Sequence, residues 1–455
     1  MRFVHIVILS FLLSVTTAFA YIDPGTGAYL VQAIWQYIVA FFALMAAVVI
    51  HFFKFTLRMW FSNRIVQITF GIISLILISV AVYFFFLQPT SDISLQTEVP
   101  DFDPALSGAH WHDPTKTYDG YTLYEGKLID MQGNVVHRWN NAIYLGVIDD
   151  DGYYYAQQYF ESPIWGKYTW DDEVVWEMEL PIHHDITITP EGTILTTGKE
   201  VHMYQGRNVE FDTIIEFDRD GNQIDYWSSF EALEHLQSFH RALELDKPSW
   251  LPLPENHRRE VTSIWGGNYD YYHLNSIALV PQNQLQDVHP AFTPGNLIIS
   301  FRHGSMVFIL DRQTKEVLWR AIYDQVEGNI EGQHTPFMRE DGSVVIFDNG
   351  RYQGRSRVVI IDPITLDIVW EYTHEGFFTE SQGMVQELPN GNFLLTESEP
   401  GRLFEITADG EIVWEYFHPD EQNELNSASE ELWGKRQQIY RATRYSADFI
   451  EQFLQ

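Results

Sequence analysis

Four histidines stand in a pattern that could do chemistry. His183 and His184 open HHDITITPEGTIL, His273 opens HLNSIALV, and His334 sits in GQHTPFMREDGSVVIF. Gly192 follows His184 by eight residues, Gly342 follows His334 by eight, and Gly391 follows Gly383 by eight. Each of these stretches reads as a strand, a tight turn and a second strand. His184, His334 and Gly383 therefore occupy one slot in copies of a repeated unit, and His273 begins the equivalent strand of another copy. Side chains alternate along a strand, so His183 and His184 face opposite ways; the spacing makes His184 the pocket member, with His183 as the alternative.

Near these histidines lie cations. Arg302, in LIISFRHGS, ends the strand that follows the His273 strand, and Arg351, Arg355 and Arg357 form a basic island in GRYQGRSRV. Three imidazoles by themselves suit zinc. A guanidinium in the same pocket opposes a metal ion and instead grips a sulfate or phosphate group with several donors, so no metal and no cofactor are expected. A neutral imidazole can also act as a nucleophile. The lack of an evident catalytic pair of carboxylates argues against glycoside hydrolysis. Tyr271, Tyr272, Phe377 and Phe378 either sandwich an aromatic ring or pack in the core.

The elements that must position these groups repeat. An apolar residue, a turn rich in Asp, Gly or Thr, and a β-branched pair ending in an aromatic recur six times, closing on Trp139, Trp176, Trp227, Trp319, Trp370 and Trp414. A period of roughly 40–50 residues is that of a propeller blade. The fold class is thus all-β, a six-bladed β-propeller whose innermost strands line a central channel. Matching slots in several blades then point at one axial spot. The long gap between Trp227 and Trp319 holds a helical insertion near 228–260, where SSFEALEHLQSFHRALEL is amphipathic behind a Ser cap. At the far end, a helix in NELNSASEELW and a strand in RQQIYRATRY are expected, the strand completing the first blade and removing an exposed edge.

Residues 1–20 read as a signal peptide, with Arg2, an apolar run and Ala18-Phe19-Ala20. Residues 21–87 hold two apolar stretches, about 28–53 and 65–87, each long enough to span a bilayer as a transmembrane helix. Lys54, Arg58 and Arg64 between them place that loop in the cytoplasm, which puts everything after the linker at 88–108, the propeller at 109–455 included, on the extracytoplasmic side. The chain carries a net charge of −34 and no cysteine. Four of its 28 basic residues and one of its 62 acidic ones fall in 1–87, so the remainder is more acidic still and repels nucleic acid. Thiolate metal sites and disulfides are excluded.

The stretches GYTLYEGKLIDMQGNVVHRW, HHDITITPEGTIL, HLNSI, ISFRHGS, GQHTPFM, FDNGRYQGRSRVVIID and IYRATRYSADF, in this order over about 118–448, resemble the arylsulfotransferase (ASST) family. The resemblance implies a six-bladed propeller that moves a sulfuryl group from an aryl sulfate donor to a phenolic acceptor without a nucleotide. It implies that His334 is transiently sulfated, that His184, His273 and Arg302 surround the sulfuryl oxygens, and that Asn275 is a further donor in the pocket. A competing reading is a quinone-cofactor dehydrogenase or a scaffold propeller, whose docking repeats ILDRQTKEVLW matches, but no calcium-binding carboxylate set accompanies it.

Overall fold

A computed structural model describes residues 107–454, except 160–161, 240–268, 352 and 420–437. The signal segment, the apolar hairpin, nearly all of the linker and the helix expected in NELNSASEELW lie outside the described residues. No helix among the described residues is long and apolar enough to cross a membrane.

Six sheets, each built on four antiparallel strands, follow one another along the chain. Their innermost strands are Thr443–Ser446, Gly146–Ile148, Ile182–Ile188, Leu274–Leu279, His334–Met338 and Met384–Glu387 for blades 1 to 6. Both termini of the propeller close the ring. The C-terminal strand Thr443–Ser446 pairs antiparallel with Gly120–Tyr124 as the inner edge of blade 1. The N-terminal strand Gly108–His112 pairs with Ile412–Phe417 as a fifth, outer strand of blade 6. The closing strand is shorter than RQQIYRATRY: Ile439, Tyr440 and Ala442 are buried ahead of it without joining a sheet.

The packing follows from strand alternation. Neighbouring side chains on a strand point to opposite faces, so each blade feeds two apolar layers. Leu123 packs with blade 2 and Tyr124 with blade 6; Val344 packs with blade 4 and Val345 with blade 6. Six apolar clusters result, one between each pair of consecutive blades, the last joining blade 6 to blade 1.

The repeated tryptophans are the docking pegs of this ring. Each stands in or just after the fourth strand of its blade, and the indole N–H of five donates to a turn carbonyl of the next blade. Trp139 reaches Thr169 at 3.1 Å, Trp176 Arg219 at 3.2 Å, Trp319 Pro363 at 2.7 Å and Trp370 Ala408 at 3.0 Å. Trp414 closes the circle on Met131 of blade 1 at 2.9 Å. Trp227 instead packs its ring near Phe301 and Phe308 of blade 4. In the insertion, a helix spans Leu233–Phe239, with Leu233 and Leu236 buried against the layer between blades 3 and 4.

Candidate active site

The inner strands of blades 3, 4 and 5 start irregularly, and the irregularity aims the site. Register shifts interrupt their pairing between Thr196 and Gly198, between Leu274 and Ser276, and between His334 and Phe337. His184 and Thr335 lie within these shifts and His273 just ahead of its own, at φ of 63°, 44° and 55°, a region that residues with a Cβ rarely adopt. Bulges of this kind bend a strand and redirect a side chain.

Register also corrects one expectation. Ile188, Leu279 and Met338 oppose the first residue of the second strand in blades 3, 4 and 5. Counting back four residues from each gives His184, Asn275 and His334. Asn275, not His273, occupies the shared slot of blade 4, and His273 lies two residues outward, just before its strand. In blade 6 the slot is Gly383 at φ 89°, and a Cβ there would meet the Phe347 ring at 2.9 Å. Blade 5 has filled the room that a blade 6 side chain would need.

The structure brings the histidines together. The rings of His184 and His273 are 4.5 Å apart between centroids, and those of His183 and His184 4.7 Å. Arg302 joins them because its backbone N–H donates to the His273 carbonyl at 3.0 Å. Arg302 and His273 are also among the charged groups that face His334. His183 turns into its own blade, against the Gly198 carbonyl at 3.1 Å and Asp212 at 3.4 Å, as alternation requires.

His334 is 2% exposed. Burial, and then the charge of Arg302, hold it well below the ordinary imidazole range, so it is neutral at pH 7. Its tautomer is fixed by Asn349. Both N–H groups of that amide are spent, on the carbonyls of Thr379 and Gln382 at 2.9 Å each. The amide oxygen is therefore the atom that faces His334 Nδ1, at 2.7 Å, and Nδ1 carries the proton. The lone pair is on Nε2, to which nothing is hydrogen-bonded among the described residues. Gly350 makes the turn behind Asn349 possible: at φ 57°, a Cβ would collide with the Arg355 carbonyl.

The other two imidazoles are backed differently. His184 Nδ1 shares a hydrogen bond of 2.5 Å with the Tyr440 hydroxyl, and Tyr144 lies 4.9 Å from the Tyr440 ring. Burial lowers His184 strongly too, ahead of repulsion from His273 and His183. His273 Nδ1 bonds the Asp270 carboxylate. Burial lowers its pKa while Asp270 opposes the shift.

The local sequence pattern does not single out Asn349, Tyr440, Asp270 or Arg441. Arg441 forms an ion pair with Asp185 at 3.0 Å and donates to the Asn275 carbonyl. Asp185 also accepts from the Ile277 N–H at 2.8 Å, so it braces blade 4 and Arg441 and does not orient an imidazole. The side-chain amide of Asn275 donates to the Gln333 carbonyl at 2.7 Å and is fully buried. It steadies the residue before His334 rather than standing in the pocket as an open donor.

The expected basic island is neutralised. Arg351 is held by Glu380 at 2.8 Å, Arg355 lies 3.8 Å from Glu371, and Arg357 is buried on Asp348 at 2.8 Å. Tyr271, Tyr272 and Phe377 are core residues, each at most 1% exposed, and do not line a ring-binding slot. Asp270, His273 and His303 place possible ligand atoms within 4.8 Å of one another. Their Nδ1 protons are committed to Asp270, and Arg302 and Lys199 add positive charge beside them, so the set is a hydrogen-bonded network poorly suited to a cation.

A cavity of about 1010 Å³ runs along the axis from Asp185, Ser276, Thr335 and Arg441 to the turns at Asp341 and Gly391. The histidines lie outside it, one to three residues upstream of its floor. The groups able to do chemistry cluster beyond that floor, at the end of the inner strands away from the turns at Asp341 and Gly391.

No curated protein matches the chain. Solved structures with a similar course include a protein of unknown function from Bacteroides caccae (13% identity, 72% of this chain and 98% of that one, TM-score 0.41). They also include a putative 6-phosphogluconolactonase from Bacteroides fragilis (11% identity, 73% and 100%, TM-score 0.38) and virginiamycin B lyase from Staphylococcus aureus (12% identity, 67% and 75%, TM-score 0.35). The sequence profile described as Arylsulfotransferase (ASST) matches residues 165–418, more than half of the chain and the four consecutive strands of each of blades 3 to 6. The chain belongs to the arylsulfotransferase family.

Proposed function

We propose that this protein transfers a sulfuryl group from an aryl sulfate ester to a phenolic acceptor in two steps, through a transient sulfohistidine on His334. The observation that carries the proposal is the state of His334. It is neutral, its proton is pinned on Nδ1 by Asn349, and its Nε2 lone pair is unengaged beside the charge of Arg302.

Nε2 attacks sulfur in line with the departing phenolic oxygen, the S–O bond breaks, and its electron pair leaves on that oxygen. Splitting one exchange into two displacements is what a covalent intermediate contributes. The transferring group is planar and electron-poor, as in phosphoryl transfer, and positive donors placed around its oxygens act where charge redistributes. Arg302 and His184 serve the non-bridging oxygens. One of the flanking imidazoles handles the phenolic proton. An acceptor phenol then takes the sulfuryl group from His334 and restores the lone pair. The same proposal has the catalytic propeller outside the cytoplasm, anchored by the apolar stretches at 28–53 and 65–87, with the basic loop between them as its support.

The test is mass spectrometry of full-length protein quenched during turnover of p-nitrophenyl sulfate. A labile sulfuryl group on His334, together with p-nitrophenol release that depends on added phenol, is the expected result. Release without acceptor and without a labelled histidine means hydrolysis by another route and ends the proposal.

A further inference from the structure

The imidazoles at the axis differ in what holds Nδ1: an amide oxygen for His334, a phenol hydroxyl for His184, a carboxylate for His273. From this geometry we infer that Asp270 positions His273 as the acid–base group of the reaction, and that His273 Nε2 carries the phenolic proton from the acceptor of one turnover to the departing phenol of the next. The inference rests on the sulfuryl-transfer reading above and assigns the proton that it left open.

Asp270 is placed for this by a short parallel pairing. The two-residue strand Tyr269–Asp270 lies along blade 3, Asp270 opposite Glu210, three residues before His273. Its carboxylate takes the His273 Nδ1 proton in hydrogen bonding, which leaves Nε2 to face the pocket. Its carbonyl accepts from His303 Nδ1 at 3.1 Å. His303 in turn presents Nε2 3.4 Å from Arg302 Nη1. One residue thus fixes His273 directly and Arg302 through His303.

The Asp270 charge favours a proton on His273, against burial and the cations Arg302 and Lys199, which lower it. Two carboxylates are buried together here, and their surroundings push them apart. Burial, reinforced by the neighbouring Asp270, lifts Asp212 well above the ordinary carboxylate range. Burial would raise Asp270 as well, but His273 and Lys199 outweigh it and hold Asp270 well below that range. Carboxyl pairs driven apart in this way divide acid from base roles, and the one that stays charged touches His273. The groups facing His273 are Asp270, Arg302, Lys199, His184, His183, His303 and His334.

The proton balances over a cycle. In the first step His334 Nε2 bonds to sulfur, the S–O bond breaks, and protonated His273 gives its Nε2 proton to the departing phenolate. In the second, the acceptor phenol gives its proton to His273 Nε2, its oxygen bonds to sulfur, and the N–S bond returns its pair to His334. No oxidant or further reactant is needed.

Leaving groups of different basicity separate this role from a structural one. A phenol with an ordinary pKa of ~10 needs the proton in order to leave, whereas p-nitrophenolate departs as the anion. In Asp270→Asn, first-step labelling of His334 from phenyl sulfate should fall by roughly a hundredfold or more, the usual reach of general acid catalysis. Labelling from p-nitrophenyl sulfate should fall by about tenfold at most, and Asp270→Glu should recover part of the loss. Equal losses with both donors would overturn the assignment. If the variant does not fold, the wild-type protein decides the question by itself: a solvent isotope effect on labelling from phenyl sulfate and none from p-nitrophenyl sulfate supports the assignment, and equal effects overturn it. A wild-type protein that labels from neither donor overturns the sulfuryl-transfer reading itself, and this assignment with it.

Discussion

His334 and His273 reach the same axis from neighbouring blades, and their surroundings are opposite. His334 is sealed, 2% exposed, with a neutral amide on Nδ1. The His273 side chain keeps 19% of its surface and has a charged carboxylate on Nδ1. An amide acceptor fixes a tautomer without adding charge, which suits a nucleophile that must stay neutral. A carboxylate stabilises the imidazolium and suits a group that gains and loses a proton. In a repeated fold, strand position decides where a side chain arrives, and the partner on its far nitrogen decides what it does there.

The contrast breaks most sharply at His334. His334→Gln should lower turnover by about four orders of magnitude or more, as loss of a nucleophile does, and abolish sulfuryl labelling with every donor, measured by stopped assay and mass spectrometry. Asn349→Leu keeps the bulk and removes the acceptor that fixes the tautomer. It should cost about a hundredfold in kcat/KM, the scale of a small misplacement, equally for good and poor leaving groups. If its loss instead depends on the leaving group, the two corners have been assigned the wrong way round. A third contrast is in pH. Because His334 is held well below the usual imidazole range by burial and Arg302, it takes up a proton only in acid. Labelling from p-nitrophenyl sulfate should therefore stay level from pH 8 down through ~6.5, the unperturbed value for histidine, and decline only below it. Decline already at neutral pH would mean that a group of ordinary pKa controls the step.

Much of this arrangement can be read from the chain, and the unread part has a common cause. The six tryptophans mark the outer strands because each repeats the same local task, docking on the next blade. The eight-residue spacing places His184 and His334 in one register for the same reason. His273 escapes that register by two residues, standing just ahead of its strand, and the register shift that follows it leaves little trace in composition. Asn349 reads only as a turn residue, since Asn-Gly signals a turn whatever its side chain meets. Tyr440 and Arg441 read as part of a strand, although they fill the axis just before the strand begins. Asp270 follows the long insertion and joins blade 3 through two residues only. In each case the decisive partner comes from a distant part of the chain, and local pattern carries no record of it.

Gly383 offers the finest test, because it touches one corner and leaves the other alone. It holds the slot of His184 and His334 in blade 6, at φ 89°, with the Phe347 ring where a Cβ would go. Phe347 is also the residue paired across the strand from His334. Gly383→Ala brings both a strained backbone and a contact that must be relieved, together about 1–3 kcal/mol of stability, visible as a lower midpoint in urea. The Phe347 ring and the Thr396 carbonyl both crowd that Cβ, and the yielding of Phe347 should shift His334 by a fraction of an ångström while Asp270 and His273 keep their bond. Labelling of His334 should slow by about tenfold or less, as a shift well short of 1 Å implies. The ratio of rates for phenyl and p-nitrophenyl sulfate should hold at its wild-type value. A changed ratio would show that the two corners are mechanically linked, and that the division of labour between them is not set by their Nδ1 partners alone.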